Sequence, residues 1–163
     1  MRHVQQCLPV AIAVALCACG GGTSSDRDAA ARREAEFEKL LTNATLEGRF
    51  TSSRSGELKE DKYTISSVTR LPGGIWTINT RIQYGDHDVT VPVPVKVVWA
   101  GDTPVITLTD LDIPKMGTFT ARVMFFRDRY AGLWWHGSQV GGQMFGQVTH
   151  GDAAPASEEK TQP

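Results

Sequence analysis

Three clusters in the chain hold side chains that could do chemistry. Asp86-His87-Asp88 sets an imidazole between two carboxylates, a minimal kit for holding a metal or passing a proton. These residues fall at a predicted hairpin turn, however, where strand alternation points His87 away from its neighbours and an aspartate is explained by its local backbone hydrogen bonds. Asp110 and Asp112 share one face of a predicted strand, and paired carboxylates are what a glycosidase or a cation site needs. A strand end is the simpler reason for them. His136 follows Trp135 near another strand end, where a hydrogen-bonded structural histidine is the simpler reading. No Gly-x-Ser-x-Gly turn surrounds a serine, and Gly141-Gly142 does not lead into a helix that could cradle a phosphate. The residues therefore predict no catalytic site, no metal site and no cofactor, and an enzyme is not expected.

The aromatic residues Trp76, Tyr84, Trp99 and Trp134 are the better candidates for contact with a ligand. Their placement depends on strands. From Leu46 to His150 the apolar residues recur with period two, and turn residues interrupt them every eight to twelve positions. Strands are expected near 46–53, 59–70, 74–84, 87–99, 104–111, 118–127, 129–136 and 143–150. Trp76, Ile78, Thr80, Ile82 and Tyr84 share one face of the third strand, and Val89, Val91, Val93, Val95, Val97 and Trp99 share one face of the fourth. Leu71-Pro72-Gly73-Gly74, Gly85-Asp86 and Gly101-Asp102 supply the glycine or proline that short turns require. With no helix-length gap between strands, the prediction is a mainly β fold: one antiparallel, up-and-down, eight-stranded barrel over 46–150. Pro92 and Pro94 remove two backbone donors from the same side of the fourth strand, so the barrel is expected to be incomplete or frayed at that edge.

Ahead of the barrel, 26–43 reads as an amphipathic helix, capped by Ser25 or Asp26, with Ala30, Phe37, Leu40, Leu41 and Ala44 on one face. Packing on the domain or over a barrel end suits it better than a coiled coil, which one and a half heptads cannot sustain. A glycine and serine tether spans 19–25, and a tail over 151–163, rich in Ala, Pro, Ser, Glu and Lys, is predicted to be disordered.

Residues 1–18 have the pattern of an export signal: Arg2 and His3, an apolar run from Leu8 to Leu16, then small residues. That run is shorter than the roughly twenty residues a spanning helix needs. Leu16-Cys17-Ala18-Cys19 resembles the lipobox of bacterial lipoproteins. The resemblance implies cleavage before Cys19, lipid attachment to its thiol and a membrane partner through that anchor. It also implies a bacterial cell-envelope address, which with Gly20 following favours the outer membrane of a Gram-negative host. Cys7 and Cys17 would leave with the signal, so no disulfide could hold the mature domain. Cleavage loses only Arg2 of the 17 Lys and Arg and none of the 18 Asp and Glu, giving a net charge of −2 without a basic block, so nucleic acid is not an expected partner.

The region from Leu46 to His150 is similar in strand count and alternation to the lipocalin-like, or calycin, type of small barrel, with Gly48-Arg49-Phe50 where that family carries Gly-x-Trp on its first strand. The resemblance implies a non-enzymatic domain that binds a small apolar or lipid-like ligand inside the barrel. An eight-stranded barrel is just wide enough to be filled by side chains or to hold one small molecule. If the interior is filled, the domain becomes an envelope module for protein contacts, with the Trp134 to Phe145 hairpin or the Pro92 edge as its surface.

Overall fold

The computed structural model describes residues 24–151. The residues expected to form the export signal, Cys19, most of the expected tether and the expected tail beyond Gly151 lie outside the described residues. Helix α1 (Ser24–Leu41) is followed by eight strands: β1 (Ala44–Thr51), β2 (Leu58–Arg70), β3 (Ile75–Tyr84), β4 (His87–Ala100), β5 (Thr103–Ile113), β6 (Gly117–Phe126), β7 (Arg129–His136) and β8 (Val140–His150). Each strand pairs antiparallel with the next, and β1 closes on β8 through the run from Ala44↔His150 to Phe50↔Met144. The expected up-and-down barrel is therefore closed.

The two prolines act locally. Residues two apart aim their N–H groups the same way, so Pro92 and Pro94 share a side with Lys96, the last β4 residue paired to β5. From Lys96↔Thr107 to Ala100↔Thr103 the two strands are joined, and the ladder stops where the donors run out. Strand β5 then turns away through a bulge between Leu108 and Leu111, where Asp110 has a left-handed φ of 48°. The other side of β4 is unaffected, with Asn79↔Pro92 and Thr77↔Pro94 both in register against β3. The correction to an incomplete barrel is thus one of extent: a single seam opens over half a strand, and the sheet still closes.

Because β1 starts just after α1, the turns alternate between two ends. The turns at Pro72–Gly74, Gly101-Asp102 and Arg127-Asp128 share the helix end, and the loops at 52–57, 85–86, 114–116 and 137–139 ring the opposite end. The helix stands over its end as a plug. Phe37 and Leu41 are buried, with the Phe37 ring edge-on to Trp76 at 5.2 Å, Trp99 at 6.2 Å and Phe125 at 6.3 Å. Burying such side chains stabilises the lid by about 1.5–3 kcal/mol each. Polar contacts orient it: Glu34 pairs with Arg70 at 3.1 Å, and Arg33 donates to the Gly101 carbonyl at 3.4 Å while lying 5.5 Å over the Trp99 ring. Ser25 and Asp26, expected as its cap, are themselves helical, because the described helix already includes Ser24.

Candidate functional site

Inward-facing side chains of the barrel leave a cavity of about 380 Å³, lined mostly by apolar groups such as Leu46, Ile78, Ile82, Val93 and Val123. The volume lies at the small end of ligand pockets, which run to about 1,000 Å³, and is many times the roughly 30 Å³ share of one water. Leu41 lines it from the helix end, and Arg54, His87 and His136 line it at the opposite, exposed end.

Of the four aromatic candidates, Tyr84 and Trp134 line this cavity, with Phe50 bridging them at ring distances of 5.9 and 5.7 Å. The Trp134 indole N–H is buried and has no acceptor among the described residues. Trp76 and Trp99 lie under the helix plug, outside the cavity lining. They shut one end and so define the depth of the space.

The mouth is held by contacts beyond the strand ladders. Ser53 donates its backbone N–H to the Gly141 carbonyl at 2.8 Å, and Gln143 donates its own to Thr51 Oγ1 at 3.0 Å, which ties the loop bearing Arg54 to the start of β8. His87 lies 4.7 Å from the Tyr84 ring. His136 stacks on Phe119 at 4.7 Å and 9°, over Gly117, where a Cβ would come within 2.5 Å of its Nε2.

The remaining clusters do not converge. Asp88 accepts from Arg81 Nε at 2.7 Å and Gln83 at 3.1 Å on the outer surface, and the Arg81 hydrogen bonds hold its carboxyl below the usual range. Asp110 meets Thr120, which donates to its Oδ1 at 3.1 Å, in the β5 bulge, and neither it nor Asp112 reaches the cavity. Among the described residues no group of three His, Cys, Asp or Glu is placed to hold a metal.

Sequence reasoning missed the polar centre. Asp61 is only 5 % exposed and points into the barrel in phase with Tyr63 and Ile65. Tyr63 donates its hydroxyl to Asp61 Oδ2 at 3.1 Å, and Tyr130, from β7, donates to Oδ1 at 3.3 Å. Burial pushes the Asp61 carboxyl above its ordinary value of 3.8, against the two phenol hydrogen bonds that pull it down. Its proton therefore favours the folded state fully below that value, and this contribution is lost as pH rises through the folded value. Tyr130 reaches Asp61 because β1 and β8 present Gly48 and Gly146 beneath it: an added Cβ would lie 2.1 Å from its hydroxyl at Gly48 and 2.7 Å from its ring at Gly146.

The three tyrosines of the chain, Tyr63, Tyr84 and Tyr130, all have phenols raised above the ordinary value of 10.0, chiefly by burial, and for Tyr63 and Tyr130 also by the charge of Asp61. A phenol that holds its proton more tightly in the folded chain contributes stability that is complete below that value and is lost as pH rises through the folded one. Alkaline titration of the native protein should therefore leave Tyr63 and Tyr130 un-ionised at pH 10, with their phenolate absorbance appearing only as the barrel unfolds. Ordinary titration of all three would mean that water reaches the centre freely.

No protein-family model matches the chain, nor does any curated protein.

Proposed function

We propose that the domain is a non-enzymatic binding protein, held at a bacterial membrane through a lipid on Cys19, that takes one small apolar or lipid-like molecule inside its barrel. The observation that carries the reading is the apolar cavity of about 380 Å³, plugged by α1 at one end and reached past Arg54, His87 and His136 at the other. A core built only for stability closes to crystal-like density and leaves few voids larger than a water. The lipocalin-like resemblance supports the same use of the interior. The anchor rests on the Leu16-Cys17-Ala18-Cys19 pattern.

An outer feature favours a second, compatible reading. Val98, Val105, Met124, Ala131 and Phe145 follow one another in register from β4 to β8, and Val98, Met124 and Phe145 are exposed. Such an outer apolar row suits contact with an envelope protein.

Gentle native mass spectrometry of the purified protein, with uptake of an apolar dye alongside, tests the first reading. One bound molecule per chain, lost on denaturation, is the expected result, accompanied by a change in Trp134 emission as the ligand enters. A bare monomer peak together with no dye uptake would overturn it and leave the outer row as the functional surface.

A further inference from the structure

Resting on the reading of the barrel as a carrier of one apolar molecule, we propose that this molecule bears a protonated amine, seated against Asp61. Asp61 is the one acidic side chain in the cavity lining among the described residues, and no cation pairs with it there. Its carboxylate accepts from Tyr63 at 3.1 Å, from Tyr130 at 3.3 Å and from its own backbone N–H, so of its roughly four acceptor positions one remains for a further donor. As a mere brace between β2 and β7 the residue would serve as well uncharged, because an asparagine accepts from and donates to phenols. A carboxylate in an apolar barrel carries a large desolvation cost unless a countercharge joins it.

The surroundings suit such a countercharge. Phe50, Tyr63, Tyr84, Tyr130 and Trp134 line the same cavity, and aromatic faces attract an ammonium group most strongly where water is excluded. The basic side chains facing this space from other elements are Arg54 in the β1–β2 loop, His87 at the start of β4 and His136 at the end of β7, and all three are exposed at the mouth. Water and salt screen them from an incoming amine, while Asp61 acts through the low-dielectric interior. The apolar part of the ligand then lies along Ile78, Ile82, Val93 and Val123.

Calorimetric titration of the purified protein at neutral pH with decylamine, decanol and decanoate compares one tail with three end groups. Decylamine should bind about tenfold more tightly than decanol, the effect of a charge-assisted hydrogen bond, with decanoate the weakest. Asp61→Asn should bring the amine down to the alcohol. Equal affinity for amine and alcohol would overturn the inference while the carrier reading stands. Tightest binding of decanoate would also overturn it and assign recognition to Arg54 and the histidines at the mouth. Binding of none of the three would remove both readings. Should Asp61→Asn fail to fold, the amine-to-alcohol ratio of the unaltered protein still decides.

Discussion

A Gly48→Val chain is expected to lose about 3 kcal/mol or more of folding stability, read as a fall in the denaturant midpoint at unchanged slope. Gly48 faces the interior opposite Gly146 on β8, and a Cβ there would sit 2.1 Å from the Tyr130 hydroxyl and 2.4 Å from the Phe145 carbonyl oxygen. The first conflict could be relieved by moving a side chain. The second is with backbone in the seam that closes the barrel, and relieving it means prising β1 from β8. In a Tyr130→Ala background the cost of Gly48→Val should shrink, because one partner of the clash is gone, without vanishing. A cost within about 0.5 kcal/mol would show that the seam yields easily and that Tyr130 is not held over Asp61 by this bed.

That glycine shows where the sequence stops being legible. Strand positions, the helix and the alternation of Trp76 to Tyr84 and Val89 to Trp99 follow from period and turn chemistry, and they reappear within a few residues. The prolines at 92 and 94 locate the open seam because a missing N–H is a property of the residue itself. The site differs in kind. Tyr130 and Asp61 are 69 positions apart, and only closure of β1 on β8 brings them within 3.3 Å. Gly48 and Gly146, which the period places inside strands, become the floor for a phenol only once their cross-strand pairing is known.

One signal was available in the chain. Asp61 is in phase with Tyr63 and Ile65, so a carboxylate stands where the period places an inward side chain, and a buried carboxylate calls for donors. The division of the four aromatics was out of reach. Trp76 and Trp99 share the inward face with Tyr84, and which end of that face the helix covers depends on the direction in which the chain leaves α1.

Phe37→Ala should cost about 3–5 kcal/mol, because a side chain 2 % exposed leaves a void among Trp76, Trp99 and Phe125 that those large rings cannot easily fill. The loss should not be confined to stability. The described part of α1 has eighteen residues, and a helix of that length in water depends on its docked face more than on its own propensity. Without Phe37, the Arg33 and Glu34 contacts are too exposed to hold it, since ion pairs of that kind are worth about 1 kcal/mol at most. The helix should undock, lowering helical circular dichroism and moving Trp76 and Trp99 emission toward the red. Phe37→Leu, which refills most of the volume, should keep both signals near wild type. If Phe37→Ala instead loses barrel stability while the helical signal and emission persist, the helix is held by Leu41 and its two-residue link to β1, and Phe37 is only one core side chain among several. If it behaves as expected, the cavity gains a second opening, and any ligand it holds should dissociate faster without a change in the groups at the mouth.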